Sequence, residues 1–225
     1  MNYGLVWFKR DLRWRDHAAL AHASSNKPVR CIYIIEPELL LQPDYALQHF
    51  EFIRESLLEL DSHLRARGGC IEIHTGQATD VFTKLWHESS FSELYSHEET
   101  GNGFTYARDL QVASWCQANN VTWREFAQFG VVRGLKNRNL WQREWERHMS
   151  SPIQEIDTLV FWKKPSPEPF AMPAPEHLQH NPPLRQVGGR SLALRTLHQF
   201  LNARSIGYRG GISVSYTHLT LPTKA

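Results

Sequence analysis

A chain of 225 residues holds one sizeable α/β domain, or one domain with a fragment of a second, and is too short for two complete ones. Hydrophobic residues at 41%, aromatics at 12% and charged residues at 21% exclude disorder throughout, and no apolar run approaches the ~20 residues that cross a bilayer. Lys and Arg number 25 against 23 Asp and Glu, so the net charge of +2 leaves any attraction to nucleic acid to a local patch.

Met1 to Arg10 lacks the basic start and long apolar middle of a signal peptide, and a cytoplasmic protein is expected. Cys31, Cys70 and Cys116 are odd in number and widely spaced. That excludes a disulfide framework and any CxxC motif, and each reads as a small buried hydrophobe.

Short apolar runs fall at Tyr3–Phe8, Val29–Ile35, Cys70–Thr75, Glu93–His97 and Val121–Phe126. They alternate with amphipathic stretches, a pattern that predicts five strands in a parallel sheet covered by helices. Leu47, Phe50, Ile53, Leu57, Leu60 and Leu64 recur at spacings of three and four and predict a helix that Gly68 and Gly69 stop. Val81, Phe82, Leu85 and Trp86 predict a helix after the third strand, and Ala107–Ala118 another after the fourth. Further on, Arg124, Arg133, Lys136, Arg138, Arg143 and Arg147 outnumber Glu125, Glu144 and Glu146, interleaved with Trp141 and Trp145. Such a mixture can track a phosphate backbone; the favoured reading is a solvated helix whose tryptophans, at i and i+4, pack on the domain beneath.

The composition then shifts. Eight of the twelve prolines lie between Pro152 and Pro183, a density that blocks helix interiors and central strands and predicts a linker over 151–190. Ser191–Arg204 carries Leu192, Leu194, Leu197, Phe200 and Leu201, an amphipathic helix that opens a second domain with no room to finish it.

Ligands of an open parallel sheet bind at the carboxyl ends of its strands. Those ends carry Lys9-Arg10-Asp11-Leu12-Arg13, Glu36-Pro37, Thr75-Gly76 and Glu98-Glu99-Thr100-Gly101. No GxGxxG or GxxxxGK[ST] loop is among them, so the expected site is a crevice lined by side chains, suited to a polar, planar, heteroatom-rich ligand. The competing reading, and the one spacing alone favours, is that these charges solvate the loops or pair with one another. The twelve histidines form no HExxH spacing and no GxSxG or Cys/His signature is present, so no metal ligand or catalytic nucleophile is assigned.

Leu5-Val6-Trp7-Phe8-Lys9-Arg10-Asp11-Leu12-Arg13, followed by Asp16 and Ala18-Ala19-Leu20, closely resembles the opening of the photolyase/cryptochrome family. Glu99-Thr100-Gly101, Tyr106-Ala107-Arg108-Asp109, Gln128-Phe129-Gly130-Val131-Val132-Arg133, Trp141, Trp145, Gly188-Gly189, Leu197, Phe200-Leu201 and Tyr208 continue the family's order to about Ser213. The resemblance implies a Rossmann-like α/β domain over 1–150, with helices on both faces of its sheet and a crevice for an antenna chromophore (deazaflavin, flavin or folate). It also implies an interdomain linker over 151–190 and the start of an FAD-binding helical domain over 191–213. In the family, excited reduced FAD injects an electron into a pyrimidine dimer flipped out of ultraviolet-damaged DNA.

Carried over residue by residue, the resemblance places Arg10, Glu36, Glu98 and Glu99 at the antenna pocket and Tyr208 at the edge of the FAD pocket. Phe104-Thr105 stand where a folate-binding branch has an Asn-Glu pair. Residues 214–225 do not resemble the family and read as a non-native tail. The expectation is therefore a monomeric antenna-domain fragment of a blue-light DNA photolyase that neither holds FAD nor repairs DNA by itself. A cryptochrome-type photoreceptor shares this domain. A stand-alone nucleotide-binding module is disfavoured because an exposed amphipathic helix makes sense only where something docks.

Overall fold

The computed structural model of the chain describes residues 3–156, 158–165, 170–179 and 181–208. Strands β1 (Gly4–Phe8), β2 (Val29–Ile35), β3 (Ile71–Thr75), β4 (Glu93–His97) and β5 (Thr122–Phe126) form one sheet in the order β3-β2-β1-β4-β5. All pairings are parallel, with Gly4 opposite both Val29 of β2 and Glu93 of β4. β1 is central and buried along its whole length, which is why it reads as an unbroken apolar run and not as an alternation.

The helices are α1 (Ala18–Ser24), α2 (Pro37–Leu40), α3 (Leu47–Arg65), α4 (Ala78–Glu88), α5 (Gly103–Ala118), α6 (Trp141–Met149) and α7 (Arg190–Asn202). Strand parity divides the core into two layers. Val6 and Phe8 meet Leu20 of α1 and Leu57, Leu60 and Leu64 of α3, while Leu5 and Trp7 meet Phe82 and Leu85 of α4 and Val112 and Cys116 of α5. The sheet thus has helices on both faces.

Several local expectations shift. α5 starts four residues earlier than its apolar spacing suggests, because the Asn102 side chain caps it by accepting from the Thr105 N–H at 3.2 Å. Cys70 is half-buried where Cys31 and Cys116 are buried. The tryptophans of α6 do not sink into the domain: Trp141 and Trp145 are 49% and 39% exposed and stack on each other with centroids 6.1 Å apart. α6 has no buried residue. Trp145 does abut Gly130, where an added Cβ would lie 3.0 Å from its ring.

The proline-rich stretch is seated along the domain. Val160 accepts from the Val29 N–H at 2.8 Å, and Trp162 donates to the Val29 carbonyl at 3.0 Å. Phe161 closes over Gly69, where a Cβ would come within 2.1 Å of its ring. Met172 is buried in the α1/α3 layer. Arg185 then grips Glu55 with two hydrogen bonds of 2.9 and 2.5 Å. Glu55 also accepts the Gly188 N–H at 2.7 Å, Ser56 Oγ accepts that of Gly189 at 3.0 Å, and Glu59 accepts that of Ser191 at 2.9 Å. Gly188 is required there, since a Cβ would stand 2.1 Å from the Phe52 carbonyl oxygen, and Gly189 has φ +106°. The helix expected from Ser191 begins at Arg190 on this clamp. It buries no residue, leaving Leu197 and Leu201 51% and 60% exposed. Residues 214–225 lie outside the described residues.

Leu57, fully buried between α3 and the sheet, carries the core prediction. Leu57→Ala leaves a cavity and lowers stability by about 2–5 kcal/mol, read as a lower denaturation midpoint with an unchanged slope.

Candidate functional site

The strand order reverses between β1 and β4, the place where an open parallel sheet leaves a crevice at its carboxyl edge. Small-molecule sites commonly enclose about 300–1,000 Å³, and the crevice here encloses ≈ 590 Å³. Phe8, Tyr33, Tyr45 and Phe52 supply its aromatic walls. Arg10, Glu36 and Glu99 line it as the sequence suggests. Glu98 and Tyr208 do not belong to the lining. Glu98 stands toward Arg133, 4.0 Å away, because successive residues leaving a strand point to opposite sides. Tyr208 follows α7 and sits edge-on to Phe200 with centroids 5.4 Å apart. Thr75 and Gly76 also fall outside the lining.

Arg108, in the second turn of α5, organises the polar wall. Its guanidinium bonds Glu36 at 2.7 Å, Glu99 at 2.5 Å and Asp109 at 2.9 Å, and lies over the Trp7 ring at 4.8 Å. Burial works against its charge, but these carboxylates outweigh that and keep it firmly protonated. Glu99 also meets Arg10 at 3.0 Å. Burial raises the Glu36 carboxyl above the usual range despite Arg108.

A second cluster lies behind this one. Lys9 Nζ stands 3.8 Å from Asp109 and 4.0 Å from Glu125, over the rings of Trp7 and Trp123, and makes no hydrogen bond among the described residues. Burial lowers its pKa, with Asp109 opposing. Burial likewise raises that of Glu125, against the pull of Lys9 and Arg133. Lys9, Arg10, Arg108 and Arg133 are thus matched by Glu36, Glu99, Asp109 and Glu125. The pairing that sequence reasoning held as its competing explanation is what these charges do, while the aromatic space beside them stays open. At the rim, Arg13 and Arg190 carry positive charge without an ion-pair partner among the described residues.

Asp11 holds the loop that presents Arg10. Its Oδ1 accepts from the Lys9 N–H at 2.7 Å, and its Oδ2 lies 2.8 Å from His17 Nε2 and 2.6 Å from His97 Nδ1. All three side chains are buried. Burial would push the Asp11 carboxyl up, yet His17 and His97 hold it well below its ordinary value. These three residues could be taken for metal ligands. However, His17 Nδ1 accepts the Leu20 N–H at 3.0 Å as the cap of α1, so the ring proton sits on Nε2 facing Asp11. A cation there would have to break the cap or strip the ring to an imidazolate.

Sequence reading misses Arg108 and Asp109 as site residues because it looks only at the residues directly after each strand, whereas Arg108 reaches the crevice from the second turn of α5. The signal available was Tyr106-Ala107-Arg108-Asp109, a short step along the chain from Glu99 in the same motif order.

Two predictions follow from this geometry. Arg108→Met leaves the buried Glu36 without its ion-pair partner, takes one partner each from Glu99 and Asp109, and costs about 3–5 kcal/mol, whereas Arg10→Ala, at a side chain 56% exposed, changes stability by less than about 0.5 kcal/mol; chemical denaturation of both variants checks the contrast. Burial also lowers the His17 pKa below the value it takes when unfolded, so the unfolded chain binds a proton that the folded one refuses. Stability therefore falls as pH drops below about 6.5. In His17→Asn, which keeps a capping side chain, that acid slope flattens in Tm measurements against pH.

Comparison with known proteins agrees with this architecture. The DNA photolyase family matches residues 4–133, more than half of the chain. Chicken (Gallus gallus) cryptochrome-2 is 33% identical over 107 residues, which are 47% of this chain and 18% of that protein. Mouse (Mus musculus) cryptochrome-1 is 29% identical over the same length. Among solved structures, the Synechocystis cryptochrome superimposes with a TM-score of 0.74 at 18% identity, covering 94% of this chain and 49% of the other. A class III photolyase from Agrobacterium tumefaciens gives 0.71 at 20% identity, covering 98% and 48%. An archaeal photolyase from Sulfolobus tokodaii, solved with two FAD molecules, gives 0.68 at 23% identity, covering 88% and 46%. The chain spans about half the length of these solved relatives, and its match to the chicken and mouse cryptochromes covers under a fifth of theirs. A parallel sheet in this order, this opening motif and this match together place the chain in the DNA photolyase family, as its amino-terminal α/β domain.

Proposed function

We propose that the crevice at the carboxyl ends of β1 and β2, bordered by α3, Glu99 and the start of α7, holds an antenna chromophore, and that this chain is the light-gathering part of a blue-light flavoprotein of the photolyase type. The observation that carries the reading is the pairing of a self-neutralised polar wall with an open aromatic slot. A wall whose charges are already matched does not call for an ionic ligand core, while Tyr33, Tyr45 and Phe52 offer faces for a planar ring. The unpaired Arg13 and Arg190 at the rim suit an anionic tail. A flavin or deazaflavin bearing a phosphate meets both requirements. Phe104-Thr105 offers no amide or carboxylate where a folate-binding branch has them.

In this reading Glu36 and Arg108 present a donor-acceptor edge to the ring, and Arg10 closes over it from the exposed side. FAD, once housed, would supply the electron chemistry on damaged DNA. Its housing would be the helical domain that the family resemblance implies, with Tyr208 at its edge. The apolar face of α7, open at Leu194, Leu197 and Leu201, is where that domain would dock.

Titration with riboflavin 5′-phosphate, followed by quenching of flavin fluorescence, tests the site. Wild-type chain is expected to bind, and Arg10→Ala to weaken binding about tenfold, the loss of one charged contact of about 1.4 kcal/mol, with an unchanged Tm. Equal affinity in both proteins removes Arg10 from the site, and no quenching by the wild type contradicts the antenna reading.

A further inference from the structure

Beside the crevice lies a second cavity of ≈ 450 Å³, an apolar groove between α3 and α7. Phe52, Gly189 and Ala193 line both cavities. Their remaining walls differ: Arg190 and Ser56 face the crevice, while Leu197 and Phe200 face the groove. The first turn of α7 is therefore a single partition with a space on either side.

That partition is fixed from one end only. Gly188, Gly189 and Ser191 are tied to Glu55, Ser56 and Glu59 of α3, and Arg185 secures Glu55 from behind. Beyond the clamp α7 buries no residue. A helix anchored at its first turn and otherwise solvated pays an ordering cost whenever something packs on it. Whichever occupant arrives first meets part of that cost for the other.

We infer that ligand binding in the crevice and docking of the helical second half in the groove are cooperative, coupled through the shared α7 partition. The inference rests on the crevice reading proposed above, and the groove's occupant is taken to be the polypeptide that follows α7 in the full-length protein. Two features favour that occupant: Leu197 and Phe200 of the groove lie on the helix from which that polypeptide continues, and the solved relatives are about twice as long as this chain. Coupling is reciprocal by thermodynamic necessity. A loaded crevice would then favour assembly of the two halves, and an assembled protein would hold its antenna more tightly than this chain does.

Hydrogen exchange of the 225-residue chain, with and without saturating riboflavin 5′-phosphate, tests the coupling directly. Added ligand is expected to slow exchange along the whole of Arg190–Asn202, including the groove-facing turn at Leu197 that touches no part of the crevice. Arg185→Ala, which lines neither cavity, is expected to speed exchange in α7 and weaken ligand affinity about fivefold, the low end of ordinary coupling between sites. Ligand binding that slows exchange around Tyr33 and Glu36 while α7 is unchanged overturns the coupling and leaves the site reading standing. So does an Arg185→Ala chain that loosens α7 at undiminished affinity. Failure of the wild type to bind the ligand at all removes the site reading, and the coupling falls with it.

Discussion

Removing a guanidinium from water costs several kcal/mol unless carboxylates surround it, and Arg108 is buried to 6% exposure. It is held by Glu36 from the end of β2, Glu99 from the end of β4 and Asp109 beside it on α5, with Trp7 of β1 as its floor. One side chain thus ties three strands and a helix together at the carboxyl edge of the sheet. The crevice keeps its shape because that knot cannot loosen without leaving charges unpaired. Arg10 and Lys9 are arranged around the same carboxylates, and Asp11, pinned by two histidines, sets the loop that delivers them.

The same economy appears at the other end of the chain. A proline-rich stretch has few backbone donors to offer, so it is seated by side chains and by a few well-placed amides. Phe161 covers Gly69, Met172 enters the core, and Glu55, Ser56 and Glu59 receive successive N–H groups up to α7. This stretch therefore orients α7 against the crevice, which makes the first turn of α7 a wall of the proposed site.

The sheet was legible in the sequence because burial on both faces writes itself as continuous apolar runs, most plainly in β1 and β2. The helix from Leu47 was legible for a related reason: its apolar spacing is regular and two glycines end it. The charged wall was only half legible. Arg10, Glu36 and Glu99 could be placed by the rule that ligands gather at carboxyl ends, but the parity that turns Glu98 away depends on where a strand stops within one residue. Arg108 escaped because its role comes from helix overhang, which no local pattern records. α6 misled because Trp141 and Trp145 at i and i+4 look like a core stripe, and here they stack on each other at the surface instead.

The proposal that this domain gathers light for chemistry housed elsewhere is tested most directly by the absorption spectrum of the purified chain after reconstitution with riboflavin 5′-phosphate and gel filtration. The account predicts a band in the near-ultraviolet and blue that co-elutes with the protein at about one chromophore per chain and vanishes in Arg108→Met at a temperature where that variant remains folded. A spectrum showing only the aromatic residues, from a chain whose circular dichroism reports an intact fold, contradicts it.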